Sequence, residues 1–305
     1  MRSACANRTA FARTANAYPA RAEAGVGVRA ASTGAGRSVG QTTKTDSGNA
    51  FRRWCLLSSM GRTAVIAGVG PRIGESVARK FAEKGCSVGL FARSEDYLDE
   101  LADELTTQTD GEATAVPTDI TDPEQVEAGF EQVRSEFGGV EILLNNAYPA
   151  GDTESGLAGS DDGPLGAGLS AFEQAWRVWA YGAFLCSERA AADMLAEDGG
   201  TILFTSSSFA LRGGDTAHNP AGFAGRGLAR SLAHQLWPEG IHIANVLVDG
   251  SVAKPGQRDW SDTPDEEWIH PDHVADSYWH LVEQHPSAWT LELDLRAYAA
   301  PIRFG

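Results

Sequence analysis

A glycine-rich string between an apolar strand and an amphipathic helix is the feature that most restricts the fold of this chain. The predicted strand Thr63–Ala67 runs into Gly68-Val69-Gly70-Pro71-Arg72-Ile73-Gly74, and a helix is predicted directly after it, over Glu75–Lys84. Glycines permit close backbone approach, and the start of a helix attracts phosphate through its free N–H groups. In this setting the string favours a dinucleotide-binding loop over an ordinary tight turn.

The chain beyond this loop alternates apolar runs with amphipathic segments. Five further strands are predicted, at Ser87–Ala92, Glu112–Val116, Val140–Leu144, Gly200–Thr205 and Ile241–Val248. Five further helices are predicted, over Tyr97–Leu105, Pro123–Phe137, Ala171–Leu195, Pro220–Leu236 and Pro271–Glu283. Repeated units of this length predict one α/β domain over residues 60–305 with a Rossmann-type, doubly wound parallel sheet. The segment Gly151–Leu169 is dense in Gly, Asp and Ser, which predicts an exposed loop or an insertion.

Residues 1–59 lack hydrophobic periodicity and differ in charge from the rest of the chain. They hold nine basic and two acidic residues, whereas sixteen basic and thirty-nine acidic residues follow. Three interpretations fit this segment: a misassigned start with Met60 as the true beginning, a disordered N-terminal extension, or a targeting peptide. Because no core pattern is present before Met60, we expect Met60–Gly305 alone to be as stable as the full chain.

The overall charge and the cysteine pattern exclude several classes of function. A net charge of −16 repels nucleic acid and anionic membranes. It is typical of a solvated acidic surface or of adaptation to high salt, where self-repulsion is screened. The sequence has no apolar run of roughly 18 residues, the length of a membrane span. None of the four cysteines forms a CxxC pair, so a reducing, cytoplasmic location without a zinc site is expected.

Four motifs in a fixed order resemble those of the short-chain dehydrogenase/reductase family, over about residues 60–250 of the sequence. The family's glycine pattern TGxxxGxG is matched at Gly68, Ile73 and Gly74, with Arg72 in place of the middle glycine and Ala67 in place of the threonine. The others are Thr118-Asp119-Ile120, Asn145-Asn146-Ala147 followed by Tyr148 instead of glycine, and Thr205-Ser206-Ser207-Ser208.

The resemblance implies a nicotinamide cofactor and a small-molecule substrate, with a homo-oligomer as a possible assembly. The residues expected to bind the cofactor are Gly68, Gly70, Arg72, Ile73, Gly74, Arg93, Asp119, Ile120, Asn146 and Ala147. NAD-specific proteins place an acid at the end of the second strand, where this chain has Ala92. Arg93 beside it suits a 2′-phosphate. NADP(H) is therefore predicted, with NAD(H) less favoured.

Most of the family's catalytic residues are replaced. Alignment on nearby motifs puts His218 at the tyrosine position, Gly222 at the lysine position and Trp179 at the asparagine position, whereas the serine is kept as Ser207. The tail Pro271–Tyr298 resembles a divergent subgroup that lacks the catalytic tyrosine. Ser207 and His218 are therefore the candidate catalytic residues.

The same pattern leaves local structure and function open. Asn219 and Pro220 suit a helix cap and first position, which would leave His218 before the helix. His270 and His273 have HxxH spacing, but Pro271 predicts a helix start there rather than a metal site. Two functions fit: an NADP-dependent oxidoreductase with substitute acid–base groups, or a nucleotide-binding protein without redox turnover that acts as a sensor or partner subunit.

Overall fold

The computed structural model describes residues 61–149, 168–197, 199–253 and 264–301. The strands are β1 (Thr63–Ala67), β2 (Ser87–Ala92), β3 (Glu112–Pro117), β4 (Ile142–Asn145), β5 (Gly200–Ser206), β6 (Ile241–Val248), β7 (Ser251–Val252), β8 (Trp268–Ile269) and β9 (Glu292–Leu295). The helices are α1 (Ile73–Glu83), α2 (Glu95–Gln108), α3 (Pro123–Phe137), α4 (Leu169–Trp176), α5 (Ala183–Ala196), α6 (His218–Leu236) and α7 (Pro271–Val282). Within the described ranges, no helix is long and apolar enough to cross a membrane.

Seven strands form one parallel sheet in the order β3-β2-β1-β4-β5-β6-β9, and β7 pairs with β8 apart from it. Helices cover both faces, which is why β1, β4 and β6 are buried along their whole length. Phe81 and Tyr278 belong to the core on one face, and Phe91 and Phe130 to the core on the other. The predicted α/β, doubly wound parallel sheet is confirmed, with a crevice where the strand order reverses between β1 and β4.

The sheet has one strand more than the sequence predicts. Strand β9 pairs with β6 through Asn245↔Glu292 to Val248↔Leu295. Its four residues, ELDL, carry two acids, and none of them is fully buried. A short edge strand of this kind has too few apolar residues to give a clear alternation. Among the other boundaries that differ from the prediction, α1 begins at Ile73 rather than Glu75, and β4 runs from Ile142 to Asn145 rather than from Val140 to Leu144.

The long helix predicted over Ala171–Leu195 is continuous from α4 to α5, but its middle, Arg177–Gly182, is a π-helix. A π segment adds one residue to a turn and changes the direction of the side chains in it. Trp179 lies in this segment. Gly182 packs so closely on Ile120 that a Cβ there would lie 2.9 Å from the Ile120 side chain.

The start of α6 corrects the sequence prediction. The helix begins at His218, not at Pro220. Asp215, not Asn219, accepts the hydrogen bonds at this end, from the backbone N–H of Ala217 at 2.9 Å and of His218 at 2.8 Å. Asn219 is buried, and its amide donates to the Phe209 carbonyl at 3.1 Å. The cap prediction was wrong because Asn219 is used to hold the preceding turn.

Candidate cofactor and substrate site

The glycine loop is built by close contact between two chain segments. Gly68 has φ of +105°, and a Cβ there would lie 2.2 Å from the Ala147 nitrogen. The Asn146 side-chain amide donates to the Gly68 carbonyl at 2.7 Å. Arg72 precedes α1, and no side chain caps this helix. The N–H of Glu75 donates to the Gly70 carbonyl at 3.0 Å, which leaves the N–H groups of Ile73 and Gly74 at the start of α1 to face an anion, as the loop pattern predicts.

A hydrogen-bonded chain connects this loop to the C-terminal helix. Thr205 Oγ1 donates to Asn146 Oδ1 at 2.8 Å, so its single hydrogen is used. The fully buried Tyr278 hydroxyl, 2.6 Å from Thr205 Oγ1, must then donate to it. Burial raises the pKa of Tyr278, which keeps the phenol protonated and able to donate. The chain Tyr278–Thr205–Asn146–Gly68 thus orients the loop from inside the core.

The ends of β2 and β3 supply the opposite wall. Arg93 follows β2 and is exposed at the cavity edge. Asp119 follows β3, and its Oδ1 accepts from Thr121 N at 2.9 Å and from Thr121 Oγ1 at 2.8 Å. The backbone N–H of Asp119 donates to Gln125 Oε1 at 2.9 Å. These bonds fix the turn that carries Asp119 and Ile120 at the cavity.

One cavity of about 1680 Å³ lies at the carboxyl ends of the strands. Every residue predicted to bind the cofactor lines it, together with Ser207: Gly68, Gly70, Arg72, Ile73, Gly74, Arg93, Asp119, Ile120, Asn146 and Ala147. Residues scattered over 140 positions of sequence therefore meet at one edge of the sheet, because parallel strands all end there. The predicted loop Gly151–Leu169 falls mostly outside the described residues.

The residues that the sequence aligns with the family's catalytic positions make contacts of their own. Trp179 fills the asparagine position and donates its indole N–H to the Ala147 carbonyl at 3.1 Å. Gly222 at the lysine position packs against the Ser208–Ala210 turn, and a Cβ there would lie 2.7 Å from the Phe209 backbone. Ser207 Oγ accepts a long hydrogen bond, 3.4 Å, from the Phe209 N–H, so its own hydrogen is free to donate.

His218 does not belong to the cavity wall. Its side chain is only 3% exposed, and it is the first residue of α6, whereas the sequence pattern placed it before the helix. The ring contacts Trp179 and Phe209, with centroids 5.9 and 5.2 Å away, and these two side chains do line the cavity. Nδ1 lies 3.1 Å from Asp215 Oδ1. At this distance Nδ1–H can donate a hydrogen bond to the Asp215 carboxylate, which orients the ring.

Two residues of the site were missed by sequence reasoning. Asp215 accepts hydrogen bonds from His218. Burial acts to raise the pKa of the Asp215 carboxyl, but the hydrogen bonds from His218 outweigh burial, so that the pKa of Asp215 is lowered. Tyr148 lines the cavity, and burial together with the charge of Asp215 raises its pKa although Arg72 opposes this. The sequence did offer a signal for Tyr148, because this tyrosine stands where the family has a glycine. Asp215 had none, because its role depends on the fold of the 207–218 segment.

Other candidate groups play no part in this cavity. His270 precedes α7 as predicted, and within the described part of the chain no cluster of His, Cys, Asp and Glu could hold a metal. Cys86 and Cys186 are free and buried, and desolvation raises their pKa values to about 11 and about 12. Such thiols are inert at neutral pH. Cys5 and Cys55 lie outside the described residues.

The strand order and the glycine loop define a Rossmann-type α/β protein, the class in which a dinucleotide binds where the strand order reverses. A family model described as short chain dehydrogenase matches residues 62–263. The chain belongs to the short-chain dehydrogenase/reductase family.

Known proteins resemble the chain over most of their length. The (+)-cis,trans-nepetalactol synthase of Nepeta racemosa is 32% identical over 191 residues, which cover 61% of this chain and 68% of that protein. The 3alpha-hydroxysteroid dehydrogenase of Mediterraneibacter gnavus is 29% identical, covering 62% and 73%. The crystal structure of L-sorbose reductase from Gluconobacter frateurii, complexed with NADPH and L-sorbose, has the same fold, with a TM-score of 0.68 at 24% identity, covering 78% and 96%.

Proposed function

We propose that this protein is an oxidoreductase that uses NADP(H) to interconvert a carbonyl group and an alcohol on a small organic substrate. One observation carries most weight: the glycine loop, Arg93, Asp119 and Ser207 all line a single cavity. The uncapped start of α1 and the Gly68 contact suit a dinucleotide. When bound, the reduced nicotinamide would supply the hydride for reduction. Two of the similar proteins, a hydroxysteroid dehydrogenase and an L-sorbose reductase, are named for the interconversion of carbonyl and alcohol groups.

The residues of this chain would bind and protonate the substrate oxygen. The free hydroxyl hydrogen of Ser207 can donate to that oxygen. His218, oriented by Asp215, is the candidate proton donor, since an imidazole can give up a proton near neutral pH without a neighbouring lysine. The His218 ring contacts Trp179 and Phe209, which themselves line the cavity, so a proton from His218 would have to pass beside these two rings to reach the substrate.

Turnover tests the two candidate catalytic residues. We expect slow NADPH oxidation with a panel of ketones and aldehydes, and a drop of about a hundredfold in kcat/KM for His218→Ala, the range typical of a lost general acid. Ser207→Ala should lower it as well. The matched control is His234→Ala, an exposed histidine on the same helix. Activity unchanged in His218→Ala would remove His218 as the acid.

A second function is favoured by a specific observation. His218 does not line the cavity, and its ring contacts Trp179 and Phe209, which do. A side chain at position 222 would collide with the Phe209 backbone. A nucleotide-binding sensor or partner subunit without redox turnover fits that arrangement. Clear NADP(H) binding combined with no turnover of any carbonyl would favour it over the oxidoreductase.

Cofactor preference depends on Arg93. We expect NADP+ to bind at least about tenfold more tightly than NAD+, because a charged hydrogen bond to the 2′-phosphate contributes roughly 1.5–3 kcal/mol. Arg93→Asp should reverse the preference, whereas Arg93→Lys, which keeps the charge, should weaken it only partly. Calorimetric titration of each variant with both nucleotides measures this. Equal or tighter binding of NAD+ by the unmodified protein would contradict the prediction.

A further inference from the structure

Three aromatic side chains form a contiguous wall at the substrate end of the cavity. Tyr148 meets Trp179 edge-on, with ring centroids 5.2 Å apart, and Trp179 meets Phe209 at 5.8 Å. All three line the cavity. They come from three separate elements: the segment after β4, the π-helical segment, and the turn after β5. We call these three residues the aromatic wall.

The aromatic wall presents carbon, not polar atoms, over most of its surface. The only polar atom of the Trp179 ring is engaged with the Ala147 carbonyl at 3.1 Å. The Tyr148 hydroxyl is the one polar atom that the three rings leave for other contacts. Tyr148 is 48% exposed, and its partial burial raises its pKa, so it stays a neutral phenol. A ligand ring lying on this wall gains by apolar burial and by ring contacts.

The wall is also held rigidly. The backbone of Phe209 packs closely on Gly222, and its carbonyl accepts a hydrogen bond from the Asn219 amide at 3.1 Å. The Trp179 indole bond fixes the second ring. A rigid wall favours a rigid ligand, because neither partner then loses much conformational freedom on binding.

The charged residues that line the described part of the cavity lie away from the aromatic wall or are paired with one another. Among its described lining residues, the charged ones are Arg72, Arg93, Asp119, Glu173 and Arg177. The first three lie at the positions assigned to the nucleotide. Arg177 Nε lies 2.9 Å from Glu173 Oε1, one helical turn away, so this pair needs no ionic substrate group. The part of a substrate that meets the wall should therefore be uncharged.

We propose that the aromatic wall is a subsite for an apolar, rigid cyclic ketone or alcohol, with the substrate oxygen directed to Ser207. Ser207 and Phe209 lie two residues apart in one turn, joined by the 3.4 Å hydrogen bond between Phe209 N and Ser207 Oγ. The Ser207 hydroxyl and the Phe209 ring therefore lie side by side, so that one can contact the oxygen and the other the carbon ring of a cyclic ketone. This inference rests on the proposed function, since it names the substrate class of the same cavity.

Binding and turnover of two probe ketones test it. 2-Decalone is a bicyclic apolar ketone, and fructose is a flexible polyhydroxy ketone. Calorimetric titration in the presence of NADP+ should give 2-decalone a dissociation constant at least tenfold below that of fructose. Trp179→Leu and Phe209→Leu should each weaken 2-decalone binding by roughly five- to tenfold through the lost ring contacts.

The matched control is Trp176→Leu. Trp176 lies on the same helix three residues earlier, is 47% exposed, stacks on Tyr181 and does not line the cavity. We expect it to leave 2-decalone binding unchanged. Thermal melts identify any variant that fails to fold, and Tyr148→Ser at an exposed position then replaces it, with the same expected weakening.

The outcomes separate this inference from the proposed function. Absence of 2-decalone binding, tighter fructose binding, or equal losses in Trp176→Leu and Trp179→Leu would overturn the subsite. Fructose turnover without 2-decalone binding would overturn the subsite while leaving the oxidoreductase in place. Binding of 2-decalone that the wall variants weaken, without NADPH oxidation, would support the subsite and contradict the oxidoreductase.

Discussion

Gly68→Ala should lower the free energy of unfolding by about 3 kcal/mol or more, through backbone strain and overpacking together. At φ of +105° an L-residue is strained, and the added Cβ would lie 2.2 Å from the Ala147 nitrogen. Neither partner can move freely, because Ala147 follows β4 and Asn146 already holds the Gly68 carbonyl at 2.7 Å. Relieving the clash would separate β1 from β4, where the crevice opens.

Gly70→Ala is the control for this prediction. It lies two residues away in the same loop, its φ is not positive, and nothing lies within 4 Å of an added Cβ. We expect a change within about 0.5 kcal/mol, as for a substitution without strain or burial. Urea denaturation followed by circular dichroism measures both variants. Similar stabilities of the two would show that the loop does not depend on the Gly68 contact.

Gly222→Ala is expected to destabilise the protein by about 1–2 kcal/mol, although alanine is the better helix former. A Cβ at 222 would lie 2.7 Å from the carbonyl carbon and oxygen of Phe209, both backbone atoms that Asn219 holds in place. Gly227→Ala, on the same helix with nothing within 4 Å, should instead stabilise by about 0.5–1 kcal/mol. Thermal melts of the pair should therefore shift in opposite directions.

Gly222→Lys extends this prediction to catalysis. It restores the residue type that the family has at this position, but the Phe209 turn occupies the path of the side chain. We expect a larger loss of stability than for Gly222→Ala and no gain in NADPH oxidation. A gain in turnover with unchanged stability would show that the turn yields and that the lysine site survives.

The chain that follows the Ser208–Ala210 turn is also held by an ion pair. Asp249 directly follows β6. Its carboxylate lies 2.5 Å from Arg212 Nη2 and 2.6 Å from Arg296 Nη1. Asp249 thus joins the segment after β5 to the segment after β9.

The sequence by itself determined the class of fold and the nucleotide end of the site. Strand periodicity and glycine positions are local signals, and each can be recognised within a few consecutive residues. Parallel strands bring their carboxyl ends to one edge, so Gly68, Arg93 and Asp119 could be grouped without coordinates. Specific NADP(H) binding by these residues remains a prediction.

Only the tertiary structure decided the substrate end. Whether His218 faces the cavity depends on Trp179 and Phe209, which are distant from one another in the chain and meet only after folding. The capping role of Asp215, the clash at Gly222 and the pairing of β9 depend in the same way on contacts across the fold. Such contacts leave no local periodicity. The local sequence therefore does not distinguish a histidine that lies behind an aromatic wall from one that lines a cavity.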